Sequence, residues 1–241
     1  MDKYNIIKIH DLVSTNDYAL SLRSSEFFHE GLVIVSDFQQ KGRGQRGASW
    51  ESERGKNLIL SVVIESRISI SKQFDISKIA SLSVIDCLFK LGVDSNIKWP
   101  NDILVRSNKI AGVLVDNVIS QDQVAYSVVG IGLNVNQLNF DTYNPLATSL
   151  KLELKKHFSL EQVQNYLLSS LENRIKSYRN KEVLDVKYLD VLFQKDKVSC
   201  FEANSIKFNG IIRGVTERGR LIVETGDLIN NFDLKDIKML F

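Results

Sequence analysis

The sequence predicts an α+β protein, with a mixed, largely antiparallel sheet flanked by helices and a small C-terminal β-barrel. Residues 97–105, 109–119 and 124–135 are β-rich runs joined by polar turns, and connections this short cannot hold a crossover helix. The three runs therefore predict an antiparallel meander. From about Lys195 onward, short β runs alternate with Asn-Gly, Arg-Gly and Thr-Gly turns, which is typical of a small barrel docked on a larger domain.

The elements before the meander follow from local periodicity. Ser14, Thr15 or Asn16 can cap the first helix, and Gly92 ends the second, in which apolar residues recur at helical spacing. The predicted strands cover residues 6–9, 31–38 and 58–65, and the predicted helices cover residues 16–24 and 76–91.

Two more helices are predicted between the meander and the barrel. A long amphipathic helix covers residues 159–179, and a shorter helix at residues 182–193 closes the first domain. The predicted barrel strands cover residues 197–201, 205–215, 221–224 and 232–234. We therefore divide the chain into a catalytic domain at residues 1–193 and a small C-terminal domain at residues 194–241.

Composition narrows the class of protein. The 241 residues are 44% hydrophobic and 25% charged, with a net charge of +2, and no basic tail favours bulk nucleic-acid binding. No apolar run approaches the length of a membrane span, and the first dozen residues lack the apolar region of a signal peptide. We expect a globular protein of the cytoplasm without a membrane partner.

The cysteines and histidines suggest no metal or nucleophile site. Cys87 lies in an apolar helical pattern and Cys200 in a strand-like segment, so two buried reduced thiols are predicted. His10, His29 and His157 are scattered, which supports neither a zinc site nor a Ser-His-Asp arrangement. We therefore expect no protein-bound metal.

A glycine-rich loop follows the predicted strand at residues 31–38. It spans residues 39–47 and combines three glycines with Arg43 and Arg46. Glycine lets backbone N–H groups approach an anion, and guanidinium groups supply forked donors for phosphate. The loop therefore predicts a phosphorylated substrate, although a solvated basic loop with turn glycines is the alternative for this segment alone.

The spacing of Gly42, Gly44 and Gly47 also matches the dinucleotide-binding fingerprint, with Glu65 near the place of the ribose-binding acid. That motif requires a helix directly after the glycines. Residues 48–57 have no apolar face and lead into a predicted strand, so we reject a nicotinamide or flavin site.

Five segments contain the residues suited to chemistry. In chain order they are Ser14-Thr15-Asn16, the loop with Gln39 and Arg43, Lys98-Trp99-Pro100-Asn101-Asp102, Lys109-Ile110-Ala111-Gly112-Val113-Leu114-Val115-Asp116 and Gly130-Ile131-Gly132-Leu133-Asn134-Val135-Asn136. With these motifs in this order and approximate spacing, the chain resembles the biotin protein ligases over most of residues 1–140. Any one of the motifs is weak, whereas five in register are specific.

The resemblance implies a class II aminoacyl-tRNA synthetase-like catalytic domain and an SH3-like C-terminal domain. It implies an enzyme that uses ATP to convert biotin to biotinyl-5'-AMP, releases pyrophosphate and then transfers biotin to a lysine. The acceptor would be a biotin carboxyl carrier protein or domain of acetyl-CoA carboxylase or a similar carboxylase. ATP and biotin are then substrates, Mg²⁺ enters with ATP, and a homodimer is left open by the sequence.

The chemistry of this reaction favours two cationic residues. Attack of a carboxylate on the α-phosphorus of ATP brings negative charge against negative charge, so catalysis needs cations where charge develops. The resemblance assigns this role to Lys109 and Arg43. On sequence alone, Lys109 would instead be an edge-strand charge that extends to water.

The resemblance also assigns a biotin-binding set. Hydroxyl and amide groups suit a ureido ring, which has donors and an acceptor, and glycines let the backbone approach it. Ser14 and Thr15 are explained equally well as helix caps. The set is Ser14, Thr15, Asn16, Gln39, Gly42, Arg43, Lys109, Gly112 and Gly130.

A second set is assigned to ATP and the adenylate. Trp50 is either a core residue or a lid over the intermediate, and the resemblance favours the lid. Asn101 lies after Pro100 in a bend that either contacts the ligand or is a plain turn. The set is Arg43, Arg46, Gly47, Trp50, Asn101 and Asn134.

Two features depart from better-known relatives. Gln45 stands where some of them have a second arginine, so we hypothesise that the adenylate dissociates faster from this protein. About a dozen residues precede Ser14, which leaves no room for a helix-turn-helix domain. The resemblance therefore implies a ligase-only form without a DNA partner.

Two alternatives remain open at this point. Lipoate and octanoate ligases or transferases are thought to share the fold, but the chain lacks the Arg-Arg-x-x-Gly-Gly-Gly segment that they contain. A non-catalytic module that binds nucleotide or a carrier domain is the other. The presence of Lys109 together with Arg43 favours turnover.

Overall fold

A computed structural model describes residues 4–141 and 145–240, except for the side chain of Arg46. The helices are α1 Thr15–Ser21, α2 Phe74–Lys90, α3 Leu150–Leu154, α4 Leu160–Arg179 and α5 Leu184–Asp190. The strands are β1 Asn5–Leu12, β2 Leu32–Gln39, β3 Gly42–Arg43, β4 Ser49–Trp50, β5 Leu58–Ser69, β6 Asn96–Lys98, β7 Asp102–Val105, β8 Asn108–Ser120, β9 Gln123–Leu133, β10 Val198–Ala203, β11 Ile206–Val215, β12 Leu221–Thr225, β13 Leu228–Phe232 and β14 Lys238–Met239. Within the described ranges, no helix is both long and apolar enough to cross a membrane.

The central sheet has seven strands in the order β1-β2-β5-β9-β8-β7-β6. Only β1 and β2 pair in parallel, and every other neighbouring pair is antiparallel. The C-terminal strands form a second, antiparallel sheet of five strands in the order β13-β12-β11-β10-β14. These two sheets confirm the α+β prediction of a mixed, largely antiparallel sheet followed by a separate β unit.

Alternation along the strands gives the central sheet two apolar faces. Leu58, Leu60 and Val62 of β5 join the larger core under α2 and α4, whereas Val63 joins a smaller core with Ala19 of α1. Successive side chains point to opposite faces of a strand, so β5 serves both layers. Burying one such side chain contributes about 1.5–3 kcal/mol, which fixes the register of this central strand.

Several predicted boundaries need correction. The run at residues 97–105 is not one strand but the hairpin β6–β7, because Pro100 has no N–H for a ladder and a turn forms at residues 99–101. The strand predicted at residues 232–234 is wrong, since β13 ends at Phe232. The helix α3 was not predicted, because it has only five residues. The prediction of burial holds for Cys87 but is wrong for Cys200, which is partly exposed.

The C-terminal sheet packs against the β6–β7 turn. The indole Nε1 of Trp99 donates to the backbone oxygen of Gly219 at 2.9 Å. A side chain at Gly219 would collide with Phe74 at the start of α2, and its φ of +87° also favours glycine. Buried residues of the C-terminal sheet, such as Phe201 and Val223, belong to the same apolar cluster as the central core. The two units therefore share one core.

Candidate active site

One cavity of about 230 Å³ opens between the central sheet and the C-terminal sheet. Its walls come from the start of α1, the glycine loop, β5, the β6–β7 hairpin, β8, β9, and the C-terminal strands β10, β11, β12 and β14. The polar and charged residues that line it are Ser14, Thr15, Asn16, Gln39, Arg43, Gln45, Ser49, Lys98, Asn101, Asp102, Lys109 and Lys238. The cavity therefore brings together residues from all five sequence motifs.

The first turn of α1 presents a buried polar surface to the cavity. Ser14 caps the helix by accepting from the backbone N–H of Asp17 at 3.3 Å. The backbone N–H and the hydroxyl of Thr15 donate to Oε1 of Gln39 at 2.7 and 3.0 Å. Because Ser14 and Thr15 are each 3% exposed, their polar groups are held in place and shielded from water.

Asn16 continues this polar surface toward β8. Its Oδ1 accepts from the hydroxyl of Ser61 at 2.5 Å, and its Nδ2 donates to Oδ2 of Asp116 at 2.8 Å. The Ser61 hydroxyl also lies 2.7 Å from that of Thr15. A side chain at Gly130 would collide with Oδ1 of Asn16, so glycine is required for the amide to pack against β9.

The glycine loop is a short hairpin. β3 pairs antiparallel with β4, and a 3-10 turn at Gln45–Gly47 connects them. Gly47 has a φ of +81°, which other residues rarely adopt. The glycines are followed by β4 and then β5 instead of the α-helix that the dinucleotide fingerprint requires.

Arg43 reaches the cavity with its charge already paired. Its Nη2 lies 2.5 Å from Oδ1 of Asp17 and 3.1 Å from Oδ2 of Asp116. The side chain is 45% exposed, so it lies at the cavity mouth rather than in the core. Gln45, two residues on, has a buried Oε1 without a hydrogen-bond partner among the described residues.

Trp50 covers the centre of the cavity. A side chain at Gly132 would collide with its indole ring, and one at Gly112 would meet it at 3.4 Å. The indole Nε1 is buried and has no hydrogen-bond partner in the described part of the chain. Trp50 therefore lies over two glycine positions of β8 and β9, and its N–H remains available to a ligand.

Lys109 is held at the cavity by contacts at both its ends. Its Nζ lies 2.6 Å from Oδ1 of Asp102, and Nζ of Lys98 lies 3.4 Å from the other oxygen of that carboxylate. The backbone N–H of Lys109 donates to Leu146 at 2.7 Å, and that of Thr148 donates to Lys109 at 2.9 Å. The interpretation of Lys109 as an edge charge is wrong, because β8 lies inside the sheet.

The two asparagines differ in their placement. Asn101 is buried, lines the cavity and donates from Nδ2 to the backbone oxygen of Val113 at 2.5 Å. Asn134 donates from Nδ2 to Thr148 at 3.0 Å, and its buried Oδ1 has no partner among the described residues. Asn134 does not line the cavity; neither do Gly42 and Gly47. The side chain of Arg46 lies outside the described part of the structure.

Some site residues were missed by the sequence analysis. Ser61 is a fully buried hydroxyl within an apolar run, which is a signal that it has a polar partner. Asp116 lies at the end of the Lys109 motif. It is on the same face of β8 as Gly112 and Leu114, because residues two apart in a strand point to the same side. The C-terminal contribution had no sequence signal and consists of Phe201, Ile212, Leu221, Ile237, Lys238 and Met239.

The described residues contain no cluster of three or more His, Cys, Asp or Glu side chains that could hold a metal ion. Mg²⁺ prefers oxygen ligands and is commonly bound through substrate phosphates together with one or two carboxylates. The polar groups that line the cavity are mainly hydroxyls, amides and lysine or arginine groups, and the Asp102 carboxylate among them is paired with Lys109 and Lys98. Such groups suit an acid substrate and a phosphate.

Comparison with known proteins identifies the family. A model of the biotin/lipoate A/B protein ligase family matches residues 10–134. The chain belongs to this family. The match begins just before Ser14 and ends at Asn134. It therefore covers all five motifs except Val135 and Asn136, the last two residues of the fifth motif.

Individual relatives cover nearly the whole chain. The bifunctional ligase/repressor BirA of Bacillus subtilis (strain 168) is 27% identical over 236 residues, which span 95% of this chain and 73% of BirA. A biotin–acetyl-CoA-carboxylase ligase of Mycobacterium tuberculosis is 30% identical over 222 residues, which span 88% of this chain and 80% of the relative. Members of the family similar to this chain therefore include proteins named as biotin ligases.

Among solved structures, a biotin protein ligase from Aquifex aeolicus in complex with biotin and ATP is similar to this chain. The superposition of the two structures covers 98% of each chain, with a TM-score of 0.79 and 23% sequence identity. The similarity shows that this chain has the biotin protein ligase fold.

Proposed function

We propose that this protein is a biotin protein ligase, which activates biotin with ATP and transfers it to a lysine of a carrier protein. The observation that supports this most directly is that one cavity joins the hydroxyl and amide groups of the α1 N-terminus and Gln39 to the cations Arg43 and Lys109. The hydroxyl and amide groups can bind the polar head of an acid substrate, and the cations can bind the phosphate that activates the acid.

The first half-reaction is a nucleotidyl transfer. An oxygen of the biotin carboxylate attacks the α-phosphorus of ATP, the bond from that phosphorus to the bridging oxygen breaks, and pyrophosphate leaves. Lys109 and Arg43 stabilise the negative charge that gathers at this phosphate. In the second half-reaction, the acceptor lysine amine attacks the acyl carbon, AMP leaves, and the amine loses a proton.

The biotin subsite follows the polar surface of α1. Ser14, Thr15, Asn16 and Gln39 bind the ureido head, whose N–H and C=O groups need both acceptors and donors. Gly112 and Gly130 let the ligand approach the sheet backbone. Gly42 lies outside the cavity lining and acts through the loop, where a side chain would collide with the backbone oxygen of Trp50. Arg43 and Lys109 meet the carboxylate at the other end of the biotin molecule.

The adenylate subsite lies on the other side of Lys109. Arg43 presents charge to the phosphate, and Trp50 covers the intermediate. Arg46 and Gly47 complete this subsite in the family motif, although Gly47 lies outside the cavity lining and the side chain of Arg46 lies outside the described part of the structure. Asn101 fixes the floor of this subsite through its bond to Val113. The unpartnered Oδ1 of Asn134 is an acceptor suited to the adenine amino group, which requires that the cavity extend to it when ATP binds.

Other parts of the proposal concern assembly. The catalytic domain comprises residues 1–193 with a class II aminoacyl-tRNA synthetase-like sheet, and residues 194–241 form an SH3-like barrel. Mg²⁺ enters with ATP, and the enzyme works in the cytoplasm. The acceptor is the biotin carboxyl carrier domain of acetyl-CoA carboxylase or a similar carboxylase, in line with the name of the Mycobacterium relative. A homodimer through the exposed edge strand β1 is compatible with this arrangement.

The test is ATP/pyrophosphate exchange by the purified chain with biotin, lipoate or octanoate, which isolates the first half-reaction and needs no acceptor. Exchange that depends on biotin alone is expected. Exchange that depends only on lipoate or octanoate would move the protein to a sister activity, and a folded chain without any exchange would favour a binding module.

A further inference from the structure

The paired state of Arg43 raises a question that the proposed reaction does not answer. Two carboxylates, those of Asp17 and Asp116, share one guanidinium, so this group of three side chains carries a net charge of −1. ATP and the adenylate bring further negative charge to the same place. Arg43 can therefore form a full ion pair with a phosphate only after its ion pair with one of the two carboxylates has broken.

The two carboxylates differ in how firmly they are held. The Asp17 side chain is 48% exposed, lies on the outer surface of α1 and has Arg43 as its ion-pair partner. An ion pair this exposed contributes little net stability, so a bound anion can replace it readily.

Asp116 is held more firmly. Its side chain is 29% exposed, and its Oδ2 accepts from both Arg43 at 3.1 Å and Nδ2 of Asn16 at 2.8 Å. Asn16 is in turn 2% exposed and accepts from Ser61 at 2.5 Å. Loss of Asp116 would therefore leave Arg43 held by the exposed Asp17 alone. It would also leave the buried Nδ2 of Asn16 with only a long hydrogen bond, 3.4 Å, to the backbone oxygen of Leu114.

We propose that Asp116 is a positioning residue that anchors Arg43 and Asn16 throughout the reaction, whereas Asp17 holds Arg43 only until a ligand phosphate replaces it. Asp116 thereby links the loop that meets the phosphate to the surface that meets the head of the acid substrate. The inference rests on the proposed function, because it takes the phosphate as that of ATP and the adenylate.

The two assignments predict effects of opposite sign. Asp17→Asn removes the carboxylate that ATP must displace, and it should lower the KM for ATP by about threefold, in keeping with the small value of an exposed pair. Asp116→Asn turns an amide N–H or an uncharged oxygen toward Arg43, and it should raise the KM for ATP by about tenfold. The same variant should raise the KM for biotin by about threefold through Asn16.

The sign for Asp116 separates positioning from a simple field effect. If Asp116 acted only through its negative charge, its removal would attract ATP, and Asp116→Asn would lower the KM as Asp17→Asn does. Asp116→Glu keeps the charge but moves it by one methylene, so its KM values should fall between those of the wild type and Asp116→Asn.

The matched control is Asp37→Asn. Asp37 is a partly buried carboxylate on β2 that also binds two basic groups, Nζ of Lys8 at 3.0 Å and Nδ1 of His10 at 2.6 Å, but it does not line the cavity. Both KM values should stay within about twofold of the wild type in this control. Thermal unfolding of each variant shows whether it is folded at the assay temperature.

Biotin-dependent pyrophosphate exchange is the assay, with ATP and biotin varied in turn. A wild-type chain without exchange would refute the proposed function itself. With exchange present, a lower KM for ATP in Asp116→Asn, or a higher one in Asp17→Asn, would overturn the inference. If Asp116→Asn fails to fold, Asp116→Glu and the surface variant Asp17→Asn still decide it.

Discussion

Replacing Lys109 with alanine tests the centre of the proposed chemistry. Two unit charges about 4 Å apart interact by about 4 kcal/mol at an effective dielectric constant of about 20. Asp102, at 2.6 Å from Nζ, takes up part of the lysine charge in the resting site. The net loss of transition-state stabilisation should be about 3 kcal/mol, which lowers kcat/KM for exchange by about a hundredfold.

The structure gives this variant a second consequence. Without Lys109, the carboxylate of Asp102 keeps its ion pair with Lys98 at 3.4 Å and repels the incoming phosphate. Lys207→Ala removes a lysine from β11, outside the cavity lining, and should leave exchange unchanged. The assay is biotin-dependent pyrophosphate exchange under subsaturating substrate. Folded Lys109→Ala with a rate within about threefold of wild type would refute the reasoning.

Three further predictions concern a glycine, the loop and the thiols. Gly130→Ala places a methyl group against the buried amide of Asn16, so the KM for biotin in exchange should rise about tenfold; an unchanged KM would place biotin elsewhere. Gln45→Arg adds a charge at the phosphate and should slow adenylate dissociation in a chase experiment, whereas an unchanged rate contradicts our hypothesis for the loop. Burial raises the pKa of Cys87 to about 12, so at pH 8 a disulfide reagent should label only Cys200 in the native protein and both thiols after unfolding; rapid native labelling of both would contradict this burial.

Local patterns were sufficient to predict most of the central sheet. The short polar turns before and after β8 required antiparallel neighbours, and the structure pairs β8 with β7 and β9 in that way. Ser14 caps α1, and Gly92 follows α2 with a φ of +87°, both as expected. These features depend on neighbours within a few residues, which is why the sequence could predict them.

Partners far apart in sequence could not be predicted. Arg43 and Asp116 are 73 residues apart and meet only because α1, the loop and β8 converge at one side of the sheet. Trp99 and Gly219 are 120 residues apart, and nothing in the β-rich C-terminal sequence indicates that it reaches the cavity. The structure brings residues from all five motifs to one cavity, but the ion pairs among them depend on tertiary packing.

The cavity is formed jointly by the central sheet and the C-terminal sheet, which meet at Trp99. The wall opposite the central sheet comes from β10, β11, β12 and β14, and the segment between α5 and β10 is the covalent link to that wall. If the backbone were cut in this segment, each fragment would hold only part of the binding surface. Substrate would then help to bring the fragments together, because its binding energy would add to the shared apolar core at their interface.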